Sequence, residues 1–243
     1  MKSALNYVVN LLKTLVWPIL FAVIEILIVY FIFQLIGEKS MINNLLISTF
    51  TTLIIFLPIF IYLNKKNKVV FAFDKNLIYI PLVGISLAIF LNIGIICLNN
   101  CLGITNIPYD NVLLTAILSG IIGPVLEELL FRGIVFERLK EFNSLNTSIL
   151  LSSIIFGLFH NNIIQILYAF VIGYIITILY AKTNNLGSAI IFHISANLSV
   201  SLIFNFLIDL PMIMRLIVGI TCFFSFLISL YIMNKKISIK YIS

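Results

Sequence analysis

Charged side chains are scarce in this sequence. Asp, Glu, Lys and Arg make up 10% of its 243 residues, against about 25% in soluble domains. A soluble surface cannot be built from so few charges, and 62% of the residues are hydrophobic. The chain therefore reads as an all-α, polytopic membrane protein. Histidine is scarcer still, with two copies, and cysteine appears three times. Cys97, Cys101 and Cys222 lie in or beside apolar runs, without the spacing of a metal site or a disulfide framework, and are expected to be buried small hydrophobes. Fixed-period repeats, low-complexity tracts and long linkers are missing, so residues 1–243 read as one integral membrane domain. The net charge of +6 needs no nucleic-acid partner, because basic residues beside spans orient them and meet anionic lipid. A cleaved signal peptide is not expected: the first apolar run is long, contains Glu25 and lacks a small-x-small site.

What is present is a series of apolar runs at about 15–36, 42–63, 77–98, 112–136, 147–160, 163–181, 188–207 and 212–233. Read as transmembrane helices they make about eight spans, of which the fifth and seventh are short enough to tilt or to end within protein. Residues 1–14 are mixed in polarity and suit a helix at the interface. Basic residues test the span count. Lys2 and Lys13, the lysines from Lys65 to Lys75, Arg138 and Lys140, Lys182, and the lysines from Lys235 to Lys240 share one side. Only Lys39 and Arg215 fall on the other, and Arg132 is within a span. This bias predicts a cell-membrane protein with both termini cytoplasmic. Glu25 and Asn92 interrupt spans with polar groups, while Pro58 and Pro81 lie near span ends.

The fourth run carries the segment GIIGPVLEELLFR from Gly120 to Arg132. Each charge within a bilayer costs several kcal/mol, so Glu127, Glu128 and Arg132 are expected to face a bundle interior and to have a function. Glu128 and Arg132 are four apart, on one helix face, and can pair. Glu127 lies about 100° round the helix and is left without a local partner. Pro124 removes one backbone donor and tends to kink its helix. That break would open room for water beside Glu127, or Gly120 and Gly123 would simply let helices pack closely.

Both histidines, His160 and His193, fall in apolar spans. Helical rise puts Glu127 and Glu128 about 14–15 Å from the cytoplasmic end of their span, His160 about 21 Å from its own, and His193 and Asn197 about 9 and 15 Å. The depths overlap, so these side chains can surround one cavity. A carboxylate and an imidazole sharing a water can draw off its proton as it attacks a carbonyl. A second imidazole and an amide, His193 and Asn197, could donate to the oxyanion, a contribution of about 3 kcal/mol per donor. The set suits peptide-bond hydrolysis in the membrane. Glu127, His160 and His193 also match a catalytic zinc set. The H-E-x-x-H spacing is missing and the ligands would come from three helices, so a metal-free site without cofactor is favoured.

Glu127-Glu128-x-x-x-Arg132, Phe156-x-x-x-His160 and His193-x-x-x-Asn197, in this order, resemble the three motifs of the CAAX-protease and bacteriocin-processing (CPBP, or Abi) intramembrane proteases. The lead-in Thr183-Asn184-Asn185-Leu186-Gly187-Ser188 resembles that family as well. The resemblance covers about residues 112–205 and implies a CAAX-protease-like eight-helix bundle. It implies that Glu127 is the base, that His160 holds the water, and that His193 and Asn197 stabilise the oxyanion. It also implies that Glu128 and Arg132 shape the site and that Phe156 packs it. The family is often labelled a metalloprotease family. The implied partner is a hydrophobic peptide or membrane-protein segment in the lipid bilayer. Ile-, Asn- and Lys-rich usage resembles that of a low-GC bacterium, where prenylation is not expected, so a bacteriocin or signal-peptide precursor is favoured, with self-immunity as one outcome. The alternative is a non-enzymatic membrane regulator binding another membrane protein. A proton-coupled transporter ranks last, since no matching pair of broken helices marks the two halves.

Overall fold

Asparagine and glycine punctuate the chain into helices. Gly103 ends one helix with φ +69°, a left-handed conformation that suits glycine. Asn111 caps the next by accepting from the Leu114 N–H at 2.9 Å. Asn184, at φ +47°, closes a helix, and Asn185 opens the following one by accepting from the Gly187 N–H at 3.0 Å. The computed structural model describes residues 2–36, 78–160 and 162–236, with isolated helical positions between 47 and 61. Its helices are α1 (Lys2–Ile36), α2 (Ile80–Leu102), α3 (Val112–Lys140), α4 (Leu145–Leu158), α5 (Ile163–Thr183), α6 (Leu186–Asp209) and α7 (Met212–Lys236).

Among the described residues, six helices are long and apolar enough to cross a membrane, α4 being the short exception. The protein is a helical, polytopic membrane bundle. Its outer face fits lipid tails, with Ile26, Leu113 and Ile213 between 66% and 72% exposed. The run expected at 42–63 falls mostly outside the described residues. Residues 2–14 do not form a separate interfacial helix but continue α1. The fifth run is indeed short, whereas the seventh, expected to be short as well, forms the 24-residue α6. With 14 residues, α4 rises about 21 Å, less than the ~30 Å hydrocarbon core, and the chain turns back at membrane depth. The cysteines correct an expectation: Cys101 is exposed, and Cys97 and Cys222 are half-buried. Cys97 packs against the buried Ile93, Ile96 and Leu207 cluster.

α6 lies at the centre, against α2, α3 and α5, while α7 packs on the far side of α2 and α4 pairs with α5. The α2–α6 approach requires Gly84. A Cβ there would fall 2.7 Å from the Phe192 carbonyl oxygen and 2.7 Å from Ser195 Oγ. The same helix turn carries His193. At one end of the bundle Lys182 donates to Asn234 Oδ1 at 2.9 Å, and the Tyr7 and Phe142 rings meet at 5.7 Å. The start of α1, the α3–α4 connection and the ends of α5 and α7 therefore share that end, with Arg138, Lys140, Lys182, Lys235 and Lys236. At the other end Asn205 of α6 holds the α2–α3 loop through both backbone groups of Tyr109, at 2.8 and 3.0 Å.

Gly84→Ala should destabilise the protein by about 1–3 kcal/mol, because a backbone carbonyl cannot give way. Gly94→Ala, where a Cβ meets nothing within 4 Å, should be neutral or slightly stabilising. Thermal unfolding in detergent micelles compares them; equal melting of the two variants would contradict this packing.

Candidate active site

The acidic stretch of α3 is bounded by two π-helical turns, Leu118–Ile122 and Phe131–Phe136, with the α-helical segment Gly123–Leu130 between them. Such turns are rare and concentrate at functional sites. In the first, the Gly123 N–H bonds five residues back to the Leu118 carbonyl. The next residue, Pro124, has no N–H to give, which leaves the Ser119 carbonyl free within the helix. Asn197 of α6 takes that place, donating from Nδ2 to the Ser119 oxygen at 3.2 Å. Gly120 is a close-packing point, and Gly123 stands between the Leu118 carbonyl oxygen, 3.4 Å from where its Cβ would be, and Glu127. A Cβ at Gly120 would lie 3.1 Å from Leu198 Cα of α6, and one at Gly123 would lie 3.9 Å from Glu127 Oε1.

Glu128 and Arg132 are both fully buried and joined at 2.7 Å, Arg132 Nη1 to Glu128 Oε1. The same carboxylate oxygen accepts from His193 Nδ1 at 2.7 Å. Arg132 Nη2 donates to the Gly173 carbonyl at 2.9 Å and to Thr177 Oγ1 at 3.4 Å, and its guanidinium lies 4.7 Å from the centre of the Phe156 ring. One ion pair thus ties α3 to α5 and α6 and leans on α4. Two buried atoms in it, Glu128 Oε2 and Arg132 Nε, have no hydrogen-bond partner among the described residues. A pair kept for stability alone would leave fewer loose ends.

The two imidazoles are oriented alike. A carboxylate paired with arginine only accepts, so His193 carries its hydrogen on Nδ1. His160 Nδ1 lies 3.1 Å from the Phe156 carbonyl, which also only accepts. In both rings Nε2 is the nitrogen left free. His160 stands not in a helix but in the turn after α4, a correction to its expected place within a span. Irregular backbone at membrane depth is tolerated where it lines a cavity, and His160 does so. Phe156 spaces the two rings, edge-on to His160 at 5.2 Å and to His193 at 5.7 Å.

Glu127, His160, His193, Asn197 and Phe156 all line one cavity of about 1030 Å³. Glu128 and Arg132 stand behind its wall. The Glu127 side chain is 36% exposed, yet its Oε2 is buried, unpartnered among the described residues, and 3.9 Å from His193 Nε2. That gap is too long for a direct hydrogen bond, and it sets the carboxylate beside the imidazole at the cavity wall. Pro18 and Ala22 of α1 also line the cavity, while the Glu25 side chain is outside the described residues. Among the described residues no group of three His, Cys, Asp or Glu side chains stands together as a metal site.

Sequence reading missed Gly173 and Thr177. A Cβ on Gly173 would fall 2.6 Å from the Phe156 ring and 3.3 Å from Arg132 Nη2. The available signal was a glycine and a threonine four apart in an otherwise apolar run. The lead-in to the last motif has a plain physical use. Thr183 Oγ1 meets Ser188 Oγ at 2.7 Å, and Ser188 Oγ donates to the Asn185 carbonyl at 2.6 Å. The α5–α6 turn is thereby fixed, and with it the rotation of α6 that aims His193.

Residues 109–199 match the Rce1-like family, type II CAAX prenyl endopeptidases. The matched stretch contains the glutamates, Arg132, Phe156, both histidines and Asn197, and it supports an intramembrane endopeptidase. No curated protein and no solved structure matches the chain.

The neighbouring glutamates should respond differently to loss of charge. Glu128→Gln strands a buried guanidinium and should cost about 3–5 kcal/mol, whereas Glu127→Gln, whose Oε2 makes no hydrogen bond among the described residues, should leave stability near that of the wild type. Denaturation in mild detergent separates the two; a Glu127 variant that melts as early as the Glu128 variant would overturn the division.

Proposed function

We propose that this chain, Rce1-like over residues 109–199, hydrolyses a peptide bond in a small hydrophobic peptide or a protein C-terminal segment within the membrane. The observation that carries the reading is Glu127 Oε2, without a hydrogen bond among the described residues, facing His193 Nε2 across 3.9 Å at the cavity wall. A water in the cavity, held by the exposed part of the Glu127 carboxylate and by His160, loses a proton to Glu127 as its oxygen attacks the carbonyl carbon. The tetrahedral oxyanion then forms beside Asn197, whose Nδ2 has a second hydrogen beyond the one given to Ser119. His193 contributes an N–H at Nε2 only as the imidazolium, since its neutral form keeps the hydrogen on Nδ1 toward Glu128. The proton on Glu127 passes to the leaving amine as the C–N bond breaks. Glu128, Arg132 and Phe156 act by fixing the rings. No step is routed through a metal.

The physiological role that fits this chemistry is maturation of a bacteriocin or peptide-signal precursor, or immunity to such a peptide. The positive-inside bias puts the basic end of the bundle, and both termini with it, in the cytoplasm.

Glu127→Ala and His160→Ala should each lower processing of a co-expressed candidate precursor by at least about a hundredfold, with expression and melting unchanged, as read by mass spectrometry of the product. Unchanged processing in both variants would remove the enzyme and leave a membrane regulator. Pro124→Ala supplies an N–H that competes for the Ser119 carbonyl and frees Asn197. It should lower kcat about tenfold with little change in KM.

A further inference from the structure

The reacting groups occupy only one end of the cavity. At about 1030 Å³ it reaches the top of the range for drug-sized ligand sites, about 300–1,000 Å³, far more than one water and one peptide bond need. From Glu127 it extends along α3 to Thr115 and on to the Tyr109 loop, away from the basic end of the bundle. Along this arm neutral polar groups interrupt a mainly apolar wall: Asn92 and Asn99 of α2, Thr115 and Ser119 of α3, Gln165 and Tyr168 of α5. Some of their bonding capacity is unspent. Asn92 Nδ2 donates to the Tyr168 hydroxyl at 3.3 Å, so that hydroxyl keeps its own hydrogen to give. Asn99 Oδ1 is buried with no partner among the described residues. Among the described lining residues the one formally charged side chain is Glu127.

We propose that this arm holds the substrate as an extended, uncharged peptide segment of about five residues leading away from the cut bond. The inference rests on the peptidase reading and adds its substrate class. A scissile bond inside a helix is shielded, so the segment must unwind. In a bilayer each backbone N–H and C=O freed in this way costs several kcal/mol unless it is paired again. The amides and hydroxyls of the arm supply those pairs; a prenyl or acyl chain would leave them unsatisfied. Thr115 lies twelve residues from Glu127, about 18 Å along α3, and an extended chain covers that distance in about five residues. A Lys, Arg, Asp or Glu in the arm would meet no countercharge. The end wall is the loop that Asn205 clasps, with the Tyr109 ring on Phe204 at 5.1 Å.

The test is digestion of a synthetic library of peptides with randomised flanks by the purified full-length protein in detergent, with cut sites read by mass spectrometry. Over about five positions on one side of the cut, Lys, Arg, Asp and Glu should be depleted at least about tenfold, with no such depletion on the other side. For a peptide chosen from the cleaved set, Asn92→Leu and Tyr168→Phe should raise KM several-fold with kcat nearly unchanged. Charged residues accepted throughout, or both variants matching the wild type in KM, would overturn the proposal while leaving a Glu127-dependent peptidase standing. A library left uncut by the wild type would overturn both.

Discussion

The arrangement depends on one carboxylate oxygen. Glu128 Oε1 receives Arg132 and His193, each at 2.7 Å, in a position with no exposure to solvent. Neither charge could remain there alone, because breaking a buried pair leaves an ion with neither water nor a partner. The shared oxygen therefore constrains three helices at once. It holds α3 in the rotation that turns Glu127 to the cavity and α6 in the rotation that presents Nε2 of His193. Through Arg132 it also positions the Gly173 turn of α5, where only a glycine leaves room for Phe156. A bilayer offers no hydrophobic drive for helices to associate, so packing and polar contacts of this kind carry more of the specificity than they would in water.

Departures from regular helix build the wet side. A continuous α-helix from Val112 to Lys140 would close its own backbone bonds and leave nothing for α6 to hold. The π turn at Leu118–Ile122 shifts the bonding pattern by one residue, and Pro124 then withdraws a donor from the carbonyl that Asn197 occupies. The short α4 has a similar effect. Ending at Leu158, it lets the chain turn at membrane depth and sets His160 at the cavity rather than on a helix face. Both devices spend backbone hydrogen bonds to make polar space, which is costly in lipid and therefore informative about where the chemistry lies.

Much of this was legible in the sequence, and what was not has a physical cause. The Glu128–Arg132 pair follows from spacing on a helix, and the meeting of Glu127, His160, His193 and Asn197 at one cavity follows from helical rise and span boundaries. The partner of His193 did not follow. Choosing between two adjacent carboxylates needs the rotation of α3 to a few tens of degrees, and the π turn alters it in a way residue counting cannot detect. Gly173 and Thr177 were hidden for a related reason, since they touch Arg132 from a helix more than forty residues away. The cysteines show a limit peculiar to membrane chains. In water an apolar residue is expected inside, but in lipid the outer face is equally apolar, and composition does not separate core from surface. Gly84 and Gly120 are close-packing points, and their neighbours on α6 could be named only once the helices were placed.

The two ends of the bundle differ in a way that bears on how water and substrate arrive. Toward the basic end the cavity stops at Phe131, Phe156 and His193, with the buried ion pair and then Val135, Phe136 and Leu139 beyond, none of these last three exposed. Water crossing that floor would have to pass a desolvated salt bridge and a stack of aromatic rings. Toward the other end amides and hydroxyls stand among the apolar wall residues, groups that lower the cost of polar matter at depth. In the proposed hydrolysis a proton taken up by Glu127 leaves with the product or past those polar groups, and not through the floor. The same asymmetry protects the ion pair from hydration, which would weaken it by raising the local dielectric. The closed floor and the polar groups of the arm thus separate two adjacent carboxylates: Glu127 is open to the cavity and Glu128 is not.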